Sequence, residues 1–439
     1  MEDTIAAIAT PLGRGGIAIV RLSGQDAHKV LDRVTKKQIT EFRRMVYTGV
    51  YDDGLLLDKA LCVKFEAGAS YTGEACAEIQ CHGGFAAAED VLRAVLKNGA
   101  RMAQSGEFTK RAFLNGRIDL SQAEAVGDLI KAETSAASRA AARLLSGALG
   151  EKIRAFQDTI KELLTAIEAG IDYPDEIDEQ ETVDSITKAV NAMVPELDQL
   201  IGSYVRGRMT KEGLRVCLVG KPNAGKSSLL NALCGFDRAI VTPIPGTTRD
   251  TLHETLNVAG VKVVLYDTAG IRESEDVIER AGVEKSKSTA EESDLVLCVT
   301  DAAEPDDFSW LAPSLMQKPG LFLFNKADLA SAPERALPGT WQRVDISAKT
   351  GMNLDKVIGF IGQAARTDDT AETLAVTSAR HFEALSLARE DLKNTLEADM
   401  VELMSIELTN AWTHLGEITG QTVTEDIVSH IFEKFCVGK

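Results

Sequence analysis

Apolar and polar positions alternate in different ways along this chain, and the changes divide it into four stretches. From Met1 to Arg117 the texture is mixed. Short runs rich in β-branched residues, Ile17-Ala-Ile-Val-Arg-Leu22 and Ala60 to Phe65, predict strands with turn residues between them, and Val91 to Leu96 predicts a helix. After Asp119 the sequence becomes alanine-rich, with Leu120, Ala123, Val126, Leu129 and Ile130 at helical spacing, so several long helices are expected through about Gly170. Tyr173-Pro174 should break the last of them. Helical spacing returns from about Val183 to Arg208. Near Gly213 it gives way to β-branched strands separated by glycine turns, and this pattern runs to about Ala365. The final stretch, from about Thr373 to Lys439, is helical again and has no Gly or Pro before Gly416.

An α/β stretch lying between two helical ones implies an insertion, with the helical flanks folding together as one domain. At roughly 150 residues per domain, 439 residues also predict about three domains. The expected division is an amino-terminal α/β domain over 1–118, a helical domain in two parts over 119–212 and 367–439, and an inserted α/β domain over 213–366.

Composition narrows the class. With 44% hydrophobic and 26% charged residues, and no apolar run approaching ~18 residues, membrane-spanning, collagen-like and wholly disordered readings are excluded. Acids at Glu2 and Asp3 do not suit a secretory signal, so a cytosolic protein is expected. The seven cysteines form no C-x-x-C pair and read as reduced thiols. The net charge of −18 opposes a protein that grips nucleic acid over its whole surface. Residues 1–117 carry 16 bases against 14 acids, however, and residues 213–366 carry 17 against 20, which leaves 15 bases against 32 acids on the two helical flanks. The acidity is helical. Within it, Asp172 to Asp184 holds seven carboxylates and no base and reads as a solvated connection, a metal site being the alternative.

The strongest chemical signal lies in the second α/β stretch. The apolar strand Leu214 to Val219 runs straight into Gly220-Lys-Pro-Asn-Ala-Gly-Lys-Ser227 and the helical Ser228 to Leu233, which is G-x-x-x-x-G-K-S in its required strand, loop and helix setting. Asn223, Ala224, Gly225, Lys226, Ser227 and Ser228 are therefore candidate phosphate-cradling residues, with Lys226 balancing the β and γ charges and the Ser227 hydroxyl placed for magnesium. Three later motifs favour GTP over ATP. Asp267, Thr268, Ala269 and Gly270 follow the strand Val263 to Tyr266; the acid can hold magnesium through water and the glycine N–H can sense a γ-phosphate. Asn325, Lys326, Ala327 and Asp328 follow Leu321 to Phe324, and the Asp328 carboxylate can accept both N–H donors of a guanine edge, a pair that adenine does not offer. Ser347, Ala348 and Lys349 follow the strand-like Arg343 to Ile346 and would complete the base pocket. Between these motifs lie Thr242, Pro243, Ile244, Pro245, Gly246, Thr247 and Thr248, a switch-like loop in which Thr248, with Thr247 as second choice, can complete the magnesium shell. Ile271 stands where many small GTPases place a water-orienting glutamine, so another group must assist hydrolysis.

The order and spacing of these motifs resemble those of Ras-like translational GTPases. Together with the opening Ala9-Thr-Pro-Leu-Gly-Arg-Gly-Gly16, the run Gly246-Thr-Thr-Arg-Asp250 and the ending Phe435-Cys-Val-Gly-Lys439, the whole chain resembles the MnmE (TrmE) family of tRNA modification GTPases. The resemblance implies an amino-terminal folate-binding domain that dimerises, a discontinuous helical domain and an inserted Ras-like P-loop GTPase domain. It also implies a flavoprotein partner, MnmG, with which a one-carbon unit from a formyl- or methylene-tetrahydrofolate is used to build an aminomethyl group on the wobble uridine of certain tRNAs. GTP hydrolysis would be stimulated by potassium, held by Asn223, Thr242, Ile244 and Thr247, while G domains pair across a homodimer. The family's water-positioning acid maps onto Glu279, which otherwise reads as a surface helix carboxylate. Its folate positions map onto Arg21, Glu78, Arg117 and Lys439; Arg117 replaces an expected lysine, which keeps the charge but changes a point charge into a planar fork. Without the resemblance, Arg21 and Glu78 read as outward strand residues. Cys436 falls in the region where the one-carbon unit is used, as a site-associated but non-covalent residue, the bland reading being a tail thiol.

Two other functions remain open at this point. A ribosome-assembly GTPase shares the four nucleotide motifs but would be expected to carry an RNA-binding appendage such as a KH domain with its G-x-x-G loop, or a second GTPase domain, and neither is found. The other is a nucleotide-switched scaffold, against which the apparatus of Thr242 to Asp250 and Glu279 argues.

Overall fold

A computed structural model describes residues 3–11, 13–236, 253–258, 261–267, 290–304, 308–331, 337–365 and 374–438. The chain packs as two compact units, one formed by Met1–Ile130, Ala142–Leu197 and Glu383–Lys439, the other by Lys131–Ala141 and Asp198–Phe382.

The first unit opens with six strands: β1 (Ile5–Ile8), β2 (Ile17–Ser23), β3 (Val46–Asp52), β4 (Leu55–Phe65), β5 (Cys76–His82) and β6 (Arg101–Met102). They form one sheet in the order β3-β4-β5-β2-β1-β6, antiparallel except between β1 and β6. Alternation along each strand decides its two faces. Ala18, Val20 and Leu22 of β2 and Ala77, Ile79 and Cys81 of β5 join the core under the helices Ala27–Thr35 and Phe85–Lys97. The second of these starts six residues before the predicted Val91, because the three alanines after Phe85 extend it. Residues of the opposite parity, Arg21 and Glu78 among them, therefore face away from that core. On that other face Ile5 and Ala7 pack with Ala103 and with Phe108 of the helix Glu107–Leu114.

The long helices share one sequence rule. Leu149, Ile153, Phe156, Ile160, Leu163 and Ile167 are buried along Ala148–Asp172 at alternating spacings of four and three. Ile186, Val190, Met193, Leu197 and Leu200 repeat this along Glu179–Gly202, as do Met404, Leu408, Ala411, Leu415 and Ile418 along Val401–Thr419. That period gives the narrow apolar seam of near-parallel helix packing. Within the first unit Ala148–Asp172 lies against Val401–Thr419, and the Gln157 Nε2 donates to the Trp412 carbonyl at 3.2 Å. Residues more than 240 positions apart are thus joined in one helical domain. The helix break at Tyr173-Pro174 falls where expected, but helix resumes at Glu179 rather than near Val183. The acids cause this: Asp178 Oδ1 accepts the Gln180 amide at 2.8 Å, and Glu179 and Glu181 occupy a first turn whose free N–H groups favour negative charge. Among the described residues no group of His, Cys, Asp and Glu is arranged to hold a metal ion, and no helix is long and apolar enough to cross a membrane.

The second unit carries β7 (Leu214–Val219), β8 (His253–Val258), β9 (Val261–Asp267), β10 (Leu295–Asp301), β11 (Gly320–Asn325) and β12 (Gln342–Asp345), in the sheet order β12-β11-β10-β7-β9-β8. All neighbours are parallel except β8 and β9. Both faces of this sheet are buried, as a parallel sheet requires. Leu218, Leu297 and Leu323 join the core with the helices Lys226–Phe236 and Leu354–Ala365, while Cys217, Cys298, Phe322 and Phe324 pack against Phe308 and Trp341 on the other side. In such sheets ligands bind beyond the carboxyl ends of the strands where the order reverses, here around β7.

Candidate nucleotide site

The residues at those carboxyl ends are the motif residues. After β7 the chain turns through Gly220 (φ +154) and Gly225 (φ +95) before entering the helix at Lys226. Neither glycine tolerates a side chain. A Cβ on Gly220 would lie 2.2 Å from the Val299 carbonyl oxygen, and one on Gly225 would lie 2.1 Å from Asn325 Nδ2. Asn223 takes the left-handed region at φ 63, so the loop curves tightly through Asn223, Ala224 and Gly225, and the Ala224 amide donates back to the Lys221 carbonyl at 3.4 Å. Lys226 is buried, and its Nζ donates to the carbonyls of Gly220 at 2.6 Å and Lys221 at 3.0 Å, so the ammonium already spans the loop. Ser227 and Ser228 are exposed in the first turn of the helix.

Asn325 holds the site together. It is 2% exposed; its Nδ2 donates to the Ala224 carbonyl at 3.0 Å and its Oδ1 accepts the Ala348 amide at 3.0 Å. One side chain thus ties the phosphate loop to the Ser347, Ala348, Lys349 loop. Lys326 follows in the left-handed region at φ 65, and the Ala327 amide donates to the Ile346 carbonyl at 3.0 Å, which leaves Asp328 exposed beside them. Ser347 is buried, its backbone paired with Met352, and its Oγ accepts the Thr350 amide at 3.2 Å, which shapes the turn carrying exposed Lys349. Asp267 ends β9, beside β7. Thr242, Pro243, Ile244, Pro245, Gly246, Thr247, Thr248, Thr268, Ala269, Gly270, Ile271 and Glu279 lie outside the described residues.

The first unit brings together most of the other mapped group. β2 and β5 are adjacent, Arg21 and Glu78 are register partners, and Arg21 Nε donates to Glu78 Oε1 at 2.9 Å with both side chains partly buried. The Arg21 guanidinium lies 5.9 Å from the Phe108 ring centroid. Tyr71, whose hydroxyl bonds to Thr109 at 3.0 Å, also feels the Arg21 charge, although burial is the larger influence and pushes its phenol up. Arg117 is exposed and packs on the loop that carries Tyr71: a Cβ on Gly73 would lie 3.1 Å from Arg117 Cγ. The carboxyl-terminal tail folds back onto the same domain. Val437 pairs with Ser105, the Gly106 amide donates to the Cys436 carbonyl at 3.3 Å, and buried Gly438, at φ +96, would meet the Ile8 carbonyl oxygen at 2.4 Å if it bore a Cβ. Cys436 is exposed at this junction. Lys439 lies outside the described residues. Tyr71 and Phe108 carry no motif, and no sequence signal could have found them, since their place depends on which loop and helix cover the sheet.

A phosphate loop at the β7 switch point, joined through Asn325 to a base loop, defines a P-loop nucleotide-binding protein of the guanine-specific class. The family model described as "MnmE helical domain" matches residues 120–436, and that described as "GTP-binding protein TrmE N-terminus" matches residues 4–117. The chain is 40% identical over 459 residues to the tRNA modification GTPase MnmE of Clostridioides difficile (strain 630), with all of both chains covered. It is 42% identical over 450 residues to that of Akkermansia muciniphila, covering 100% of this chain and 99% of the relative, and 42% identical over 457 residues to that of Symbiobacterium thermophilum, with all of both chains covered. The chain belongs to the MnmE family of tRNA modification GTPases.

Proposed function

We propose that this chain hydrolyses GTP at the loop Asn223 to Ser228 and couples that reaction to wobble-uridine modification of tRNA in the cytoplasm. It would act as a homodimer with the flavoprotein MnmG and a tetrahydrofolate-borne one-carbon unit. The observation that carries this reading is Asn325, which binds the phosphate loop and the base loop in one chain that matches its relatives from end to end. The division into 1–118, 119–212, 213–366 and 367–439 belongs to the same proposal.

In this reading the loop amides and Lys226 receive the β and γ phosphates, and Ser227 with Thr248 holds magnesium, which neutralises phosphate charge when bound. Asp328 accepts the guanine edge. Asn223, exposed at the tight curve of the loop, offers its side-chain oxygen to a potassium ion with groups from Thr242, Ile244 and Thr247, and Glu279 positions the water. For folate, the donor set fits. Glu78 keeps one carboxylate oxygen beyond its bond to Arg21, enough to accept pterin N–H donors, while Arg21, Arg117 and Lys439 suit glutamyl carboxylates, Tyr71 supplies apolar surface and the buried Phe108 ring backs Arg21 from beneath. Cys436 borders that region without a covalent role.

The test is GTP turnover in potassium and in sodium, for the parent and for Asn223→Ala. A cation near the β–γ bridge replacing an arginine finger is worth up to ~10³-fold or more, so the parent should turn over far faster in potassium and Asn223→Ala should lose that difference. Equal rates in both salts would sink the potassium mechanism.

A further inference from the structure

The geometry points to Asp301 as a positioning residue of the guanine pocket, acting through Lys326. This rests on the reading that Asn325 to Asp328 receive the base, and it adds a residue that belongs to none of the nucleotide motifs. Asp301 ends β10, and the parallel register sets it opposite Asn325, the last residue of β11. Both of its carboxylate oxygens are engaged. Oδ1 accepts the Ala303 amide at 2.9 Å and fixes the turn that leaves β10; Oδ2 accepts Lys326 Nζ at 2.7 Å. The Ala302 amide donates to the Asn325 carbonyl at 2.8 Å, so the Asp301 turn and the exit of β11 form one bonded unit. The Lys326 bond, ahead of all other influences, holds the Asp301 carboxyl below the ordinary aspartate range.

The consequence falls on the lysine stem. Lys326 is only 37% exposed at its side chain, and a lysine anchored at its tip presents its methylenes as a fixed apolar strip, the surface that the face of a purine covers. Released from Asp301, the ammonium would turn to water, and the stem would have to be ordered again each time a nucleotide bound. A partly exposed ion pair contributes little to folding stability, so the role of Asp301 should be read in ligand affinity rather than in melting temperature.

The experiment is a titration of the full chain with a fluorescent GDP analogue, competed with GDP, IDP and ADP, for the parent, Asp301→Asn, Lys326→Ala and the double variant. Asp301→Asn is expected to weaken GDP and IDP by the same factor, roughly tenfold for the loss of an ordered lysine stem, because a lysine does not read the 2-amino group. In the Lys326→Ala background Asp301→Asn should add nothing, and Asp301→Glu should recover part of the loss. Unchanged GDP affinity in Asp301→Asn, or an equal loss with and without Lys326, overturns the proposal, whether or not the variants melt earlier. Equal affinity of the parent for GDP and ADP would instead overturn the guanine reading on which it stands.

Discussion

Replacing Gly225 by alanine isolates the contact that joins the two halves of the nucleotide site. At φ +95 an L-residue costs about 1–2 kcal/mol before any neighbour is considered. The new Cβ would then stand 2.1 Å from Asn325 Nδ2, where at least 3.0 Å is needed, so the amide has to move. Asn325 is 2% exposed and has no water to turn to; leaving its bond to the Ala224 carbonyl costs about 1–3 kcal/mol for the buried groups left unsatisfied. The Ala348 amide on its other side is disturbed as well. About 3 kcal/mol of this falls on the assembled pocket, which converts to roughly a hundredfold loss of GDP affinity. Titration with a fluorescent GDP analogue measures it, and the double variant with Asn325→Ala tests the cause. With the obstructed amide gone, Gly225→Ala should cost only its backbone strain, so the two losses should fall well short of additive. A GDP affinity within threefold of the parent, or full additivity, would refute the reasoning.

Gly438→Ala should displace the tail from the Ile8 carbonyl, reducing wobble-uridine modification several-fold while GTP turnover stays at the parent rate; a parallel loss of both activities would contradict this. Arg111 is fully buried and donates to Asp3, Glu74 and Glu107, so Arg111→Ala should cost about 3 kcal/mol. This is the lower end for a broken buried pair, because Asp3 is half exposed and Glu107 keeps Arg101. Urea unfolding followed by Trp412 fluorescence, with Trp310 and Trp341 replaced by Phe, measures it, and a loss below 1 kcal/mol would count against the network. Burial pushes the Glu107 carboxyl up, but bonds from Arg101, the Gln104 amide and Arg111 outweigh it and hold the group below its ordinary value of 4.5. A depressed acid stabilises the fold above that value and loses its contribution as pH falls through the folded one, so the parent should lose stability more steeply below pH 4.5 than Glu107→Gln. Identical acid slopes would exclude that role.

What could be read from the sequence was what the chain makes locally. The phosphate loop is legible because strand, glycine turn and helix are consecutive, and Asn325 and Ser347 are legible because each follows an apolar strand whose carboxyl end a parallel sheet directs to one crevice. Arg21 and Glu78 mark the limit. Alternation assigns each to the face opposite the helices, but nothing in the period of a strand says that β5 lies beside β2, so their 2.9 Å bond comes from strand order alone. Asp301 is hidden for a similar reason: it belongs to no motif, and only the register of β10 with β11 sets it opposite Asn325. The helix from Glu179 is hidden in an acidic run that has the composition of a solvated connection, because in a first turn those acids answer the free N–H groups of a helix end.

Counting by stretch left the amino-terminal segment as the one positive part of an acidic chain, which invites a nucleic-acid reading of its sixteen bases. Nine of them, Arg21, Lys29, Arg43, Arg44, Lys64, Arg93, Lys97, Arg101 and Arg111, pair with acids of that same segment. Phosphate binding draws on bases whose counter-charge is a released ion, and a lysine already held by aspartate has to be withdrawn from that partner first. The segment's excess of positive charge is therefore a weak platform for RNA. Three of these bases have a structural task instead: Arg21 ties β2 to β5, and Arg101 and Arg111 tie Asp3 and the covering loop at Glu74 to the Glu107–Leu114 helix, the arrangement that frames Arg21 and Glu78.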